Sequence, residues 1–153
     1  MERPESMQPR AVLLVRLSHL GDVVHALPVF HALRARYPEA RLGWAIQPEF
    51  ADLLRGLPGL DQILRFDRRG GPRAWLALAR ELRAFGAELC VDAQGNLKSA
   101  AVTRLSRAAR RVGLARQDWR EPLGHRVLHA SAPPSGAAHA LDRMLGLAQW
   151  LAG

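Results

Sequence analysis

The sequence predicts an α/β protein, a Rossmann-like parallel sheet with helices on both faces. Three observations point there. Short apolar runs alternate with helical patterns along most of the 153 residues. The first of those runs is continuous and rich in Val and Leu, as a strand buried on both faces requires. Helical segments between successive strands imply right-handed crossovers and therefore parallel pairing.

The elements follow in order. MERPESMQPR is polar and proline-bearing and has no apolar signal segment, so residues 1–10 read as a flexible tail and 11–153 as one domain. Ala11–Leu17 is the first strand, apolar except for Arg16. Val23–Arg36 sets Val24, Leu27, Phe30, Leu33 and Tyr37 at helical spacing, with Pro28 bending that helix or restarting it. Arg41–Ile46 is a second strand, followed by a short helix near Phe50–Leu54 and a turn at Pro58-Gly59. Gln62–Phe66 is a third strand. Arg73–Phe85 is amphipathic, with Trp75, Leu78, Leu82 and Phe85 on one face. Glu88–Asp92 and Arg111–Leu114 are further strands flanking a helix at Leu97–Arg107. A Pro/Ser/Gly/Ala loop at Ala132–Ala137 leads to a last helix, Ala140–Leu151.

Composition narrows the function. With 48% apolar and 24% charged residues the chain has the make-up of a globular protein. No apolar run approaches the roughly 18 residues that mark a membrane span. Cys90 is the one cysteine and sits in an apolar run, which makes it a core residue and excludes an internal disulfide. A cytoplasmic location is expected. The net charge of +8 is carried by arginine, Lys98 excepted. GC-rich coding, which yields chains rich in Arg and Ala, explains that more readily than recognition of phosphates or carboxylates by the planar guanidinium. Basicity alone, without an aromatic nucleic-acid motif, does not argue for RNA or DNA.

Open α/β sheets bind ligands at the carboxyl ends of their strands, which here means the loops Ser18–Asp22, Pro48, Asp67–Pro72 and Ala93–Leu97. In the first, Asp22 is the sole acid between Glu5 and Glu39. It reads equally as a functional carboxylate or as a helix cap. Gly21 beside it permits close approach to the helix start. Ser18, His19 and Asp22 are too close in sequence to form a catalytic triad, and the GxGxxG spacing of a dinucleotide site is missing. Arg68, Arg69 and Arg73 surround Gly70-Gly71 in a loop that is either a solvated surface or a mobile anion binder. Asp92-Ala93-Gln94-Gly95-Asn96-Leu97-Lys98 is a polar cluster at a strand end that could hold an anionic or hydroxylated ligand. His125 and His129 lack the companions a zinc site needs.

Five segments resemble the bacterial lipopolysaccharide heptosyltransferases, glycosyltransferase family nine, and above all the members that add the first heptose: LLVRLSHLGDVVHALP, WAIQPEFADLL, VDAQGNLKSA, DWREPL and HALDR. The resemblance runs from about Ala11 to Leu151. It implies the N-terminal, acceptor-binding half of a GT-B glycosyltransferase. Asp22 would be the general base, acting on a hydroxyl of Kdo in a Kdo-lipid A acceptor, with ADP-heptose as donor, no metal and inversion at the anomeric carbon. Ser18, Gly21, Arg68, Arg69, Arg73, Gln94, Lys98 and Arg120 would bind substrate. Peripheral work at the inner face of the cytoplasmic membrane is implied, with no nucleic-acid partner. The chain departs from the family at Gly70-Gly71-Pro72, at Asn96, and at His125-Arg126-Val127 after DWREPL. The family's C-terminal donor domain is expected to be absent, leaving 11–153 inactive alone. The other class of reading is a non-catalytic module that binds anionic glycolipid, from a truncated gene.

Overall fold

The computed structural model describes residues 6–153. Among them six strands form one parallel sheet: β1 (Ala11–Val15), β2 (Arg41–Ile46), β3 (Gln62–Arg65), β4 (Leu89–Asp92), β5 (Arg110–Gly113) and β6 (Ala130–Ser131). Their order is β3-β2-β1-β4-β5-β6. The chain winds outward from β1 in one direction and then returns to wind outward from β4 in the other. The order therefore reverses between β1 and β4, which are hydrogen-bonded neighbours, and a crevice opens beyond their carboxyl ends.

The Rossmann-like expectation holds because the strands are buried on both faces. All of β1 is buried. Val12 and Leu14 enter one apolar layer with Phe30, Leu33 and Trp44, while Ala11, Leu13 and Val15 enter the other with Leu78, Leu82 and Phe85. The first layer is closed by α1 (Leu20–His25), α2 (Leu27–Arg36) and α5 (Ala140–Ala152), which packs on both. The second is closed chiefly by α3 (Gly71–Phe85), with α4 (Leu97–Leu105) beside it. Each large side chain buried here contributes about 1.5–3 kcal/mol.

Several boundaries differ from expectation. The stretch expected as one helix from Val23 is two, with α1 beginning already at Leu20 and α2 restarting so that Pro28 is its second residue. A proline there removes an N–H that has no helical partner anyway. Strand β6 is two residues long, too short to leave a periodic signal, and 3-10 turns at Arg116–Asp118 and Pro122–Val127 precede it. Half of the expected tail, residues 1–5, lies outside the described residues. At its other end Arg10 is paired with Glu88, Nε to Oε1 at 3.1 Å.

Cys90 is fully buried, and burial pushes its thiol up to about 12, so it is inert. Among the described residues no helix is long and apolar enough to cross a membrane. Gly113 lies where β5 presses on β4, and a Cβ there would sit 2.5 Å from the Asp92 carbonyl oxygen. Gly113→Ala is expected to destabilise the fold by about 1–3 kcal/mol, read as a lower midpoint in urea unfolding; an unchanged midpoint would show that the two strands separate freely.

Candidate active site

The crevice between β1 and β4 is built by two loops that hold each other. After β1 the chain continues through Arg16 and Leu17, both buried, to Ser18. After β4 it turns at Gln94-Gly95. The Gln94 side chain spans the gap: its Oε1 accepts from the N–H groups of Leu17 (2.8 Å) and Ser18 (3.3 Å), and its Nε2 donates to Ser18 Oγ at 3.3 Å. Asp92 shapes the second loop from below. Its Oδ1 accepts from the N–H groups of Gln94 (2.9 Å) and Gly95 (3.0 Å), and its Oδ2 from Thr103 Oγ1 at 3.1 Å. Gly95 has φ +79°, and a Cβ on it would press on Trp119 at 3.3 Å. Asn96 then caps α4, accepting from Ser99 N at 2.8 Å.

Arg16 is the central strut. Its side chain leaves the end of a wholly apolar strand and reaches three oxygens: Nη1 donates to Ala93 O at 2.8 Å, Nε to Ser18 O at 3.1 Å, and Nη2 lies 2.9 Å from Asp22 Oδ2. Burial lowers its pKa, against the opposing pull of Asp22; even so a guanidinium stays charged. Asp22 is the third residue of α1. That helix has His19 at its N-cap position and no side-chain cap bond, so Asp22 is not a cap. Its Oδ2 faces Arg16 and, at 3.9 Å, His19 Nδ1, while Oδ1 makes no hydrogen bond among the described residues. The carboxylate is about one-third exposed, its side chain 35% accessible to solvent.

A cleft of about 640 Å³ opens over these groups. Of the residues expected at the site, Ser18, Asp22, Arg68, Gln94, Lys98 and Arg120 line it; Gly21, Arg69 and Arg73 do not. Arg69 and Arg73 are exposed, the Arg69 N–H donating to Asp67 Oδ1 at 3.0 Å. Nothing lies within 4 Å of where a Gly21 Cβ would stand, so protein packing does not demand that glycine. Asn96, from the polar cluster after β4, lines the cleft too, as do Arg16, Gln47, Asp118, Glu121 and Arg143, which the sequence reading did not name as site residues. Arg16 had left a signal there, as a lone charge at the end of an apolar run. Among the described residues no group of three or more His, Cys, Asp or Glu is arranged to hold a metal ion. His129 Nδ1 is occupied as acceptor from the Arg111 N–H at 3.0 Å.

The cleft thus offers a fixed carboxylate with one free oxygen, flanked by the cations of Arg68, Lys98, Arg120 and Arg143. Such a site can take a proton from a hydroxyl while holding anionic groups nearby.

No family model matches the chain. Among curated proteins it is 32% identical over 141 residues to lipopolysaccharide heptosyltransferase 1 of Pseudomonas aeruginosa, covering 86% of this chain and 40% of that one. To the enzyme of the same name from Escherichia coli K12 it is 29% identical over 142 residues, covering 86% and 44%. A solved structure, E. coli heptosyltransferase WaaC with ADP, superposes with a TM-score of 0.78 at 28% identity, over 90% of this chain and 45% of that one. Over the span they share, the chain is homologous to the lipopolysaccharide heptosyltransferases. It spans less than half the length of the relatives it matches, and its sheet is that of the N-terminal half of the GT-B architecture. A family nine glycosyl transferase from Veillonella parvula shares the fold at a TM-score of 0.79 with 18% identity.

Beneath the cleft, burial pushes the Asp92 carboxyl above its usual range, opposed by the N–H groups of Gly95 and Gln94. Folding therefore strengthens proton binding at Asp92. Its contribution to stability is full below the unfolded carboxyl pKa and declines as pH rises through the folded one. Asp92→Asn keeps an oxygen for both N–H groups and cannot ionise. Its stability relative to the native protein is expected to rise between about pH 4 and 7, whereas Asp92→Ala strands three donors, the two N–H groups and the Thr103 hydroxyl, and costs about 2–4 kcal/mol. Urea unfolding at both pH values checks this; parallel pH profiles for native and Asn proteins contradict it.

Proposed function

We propose that this domain is the acceptor-binding half of an inverting glycosyltransferase that moves heptose from ADP-heptose to a Kdo-bearing lipid A acceptor. The observation that carries the reading is Asp22, its Oδ2 held 2.9 Å from Arg16 and its Oδ1 open to the cleft. In the proposed step a Kdo hydroxyl attacks the anomeric carbon of the donor. Its proton passes to Asp22, the bond from the anomeric carbon to the phosphate oxygen breaks, and ADP departs with the electron pair. A displacement from the opposite face inverts the centre.

The leaving group is already an anion, so the step calls for cations to hold its charge and not for an acid. No metal or cofactor is assigned, and ADP-heptose enters as substrate. Donor contacts would come from a facing half like that of the longer relatives. Arg68, Lys98 and Arg120 would meet the acceptor's acidic groups, and a lipid acceptor places the domain peripherally at the cytoplasmic face of the inner membrane. In this reading the 153-residue chain alone does not turn over.

The test is heptose transfer by the full-length gene product, from ADP-heptose to Kdo-lipid A. Asp22→Asn is expected to lower kcat by about 10²–10⁴ under conditions where the variant remains folded, since the side chain keeps its shape and loses its basicity together with its ion pair to Arg16. A loss of less than about threefold excludes Asp22 as the base.

A further inference from the structure

Arg143 lines the cleft, and the reading above gives it no task. It comes from HALDR, on the fourth residue of α5, far in sequence from every other group in the site. Its position is electrostatically unfavourable twice over. It lies in the first turn of a helix, where the backbone dipole disfavours a cation. It also faces a second guanidinium: Arg16, whose pKa burial lowers against the pull of Asp22, is further depressed by the positive field of Arg143. Asp22, bonded to Arg16, and the buried Asp92 oppose that depression.

The Arg143 side chain is nonetheless held in place. Its Nη1 donates to the carbonyls of Ala137 (3.4 Å) and Ala138 (3.2 Å) in the loop before α5. Among the described residues no carboxylate pairs with it, and its other guanidinium nitrogens make no hydrogen bond. A half-buried, anchored and uncompensated guanidinium is an anion receptor in waiting.

We propose that Arg143 binds the carboxylate of the acceptor's acidic sugar and thereby sets that sugar's hydroxyl against Asp22, an assignment that rests on the acceptor reading above. The anion belongs on the same sugar as the attacking hydroxyl. Only a group on that ring is constrained to lie beside Asp22, whereas phosphates elsewhere on a lipid acceptor reach the outer cations, Arg68, Lys98 and Arg120. Arg143 is then a substrate-positioning residue that selects acidic over neutral sugars.

The test measures binding of two probes to this chain by calorimetry: the methyl glycoside of Kdo and the methyl ester of its carboxylate. The native protein is expected to prefer the acid by about ten- to a hundredfold, the range of a charge-assisted hydrogen bond. Arg143→Met is expected to bind acid and ester alike, at about the native affinity for the ester, and Arg143→Lys to recover part of the preference. The unfolding midpoint of Arg143→Met should be unchanged or higher, because a disfavoured charge has been removed. A variant that still prefers the acid overturns the assignment and leaves the acceptor reading standing. A midpoint lowered by more than about 4 °C makes Arg143 a structural strut and overturns it too. If the native protein binds neither probe, the acceptor reading falls and the assignment with it.

Discussion

The site depends on one buried guanidinium. Arg16 leaves the end of β1 at the point where the strand order reverses, and there it meets two carbonyl oxygens and one carboxylate. Burying a cation is costly unless every donor finds an acceptor. The loop after β4 supplies Ala93 O, the loop after β1 supplies Ser18 O, and α1 supplies Asp22. These three segments are therefore fixed relative to one another by the need to satisfy one side chain. Trp44 closes the arrangement from β2, donating through Nε1 to the Arg16 carbonyl at 3.0 Å.

This explains why Gln94 and Asp92 matter though neither is a reacting group. Gln94 stitches Leu17 and Ser18 to the second loop by the same logic of satisfied backbone donors. Asp92 holds that loop's turn from inside the core, where it is fully buried. The result is a rigid floor under a cleft whose walls are charged. Asp22 stands on the floor, Arg143 enters from α5, and Arg68, Lys98 and Arg120 occupy the outer walls. Guanidinium groups suit these places because their planar fork meets carboxylates and phosphates in pairs, which an ammonium does not.

Much of this was legible in the sequence, for physical reasons. Strands buried on both faces leave unbroken apolar runs, so β1 to β5 could be placed within two residues of their bounds. Asp22 and Gln94 could be named because they fall at strand-to-helix loops, where an open parallel sheet puts its chemistry. Strand β6 could not be seen, since two residues show no period. The role of Arg16 was hidden because most of its partners are backbone oxygens, which have no residue identity to read. Arg143 was hidden by distance, reaching the cleft only once α5 has packed across α1 and α2. Arg69 and Arg73 were drawn in by proximity to Arg68, yet of the three only Arg68 lines the cleft. The similarity to the heptosyltransferases was legible from the segments around Asp22 and Gln94.

The most direct test of the central role of Arg16 is a double-mutant cycle with Asp22, read as unfolding free energy. Native protein, Arg16→Met, Asp22→Asn and the double variant are compared in urea. A coupling of about 1–3 kcal/mol is predicted, because each partner leaves the other's charge uncompensated in a largely buried site. Effects that add to within about 0.5 kcal/mol would contradict it, and would mean that Asp22 is held by its helix alone.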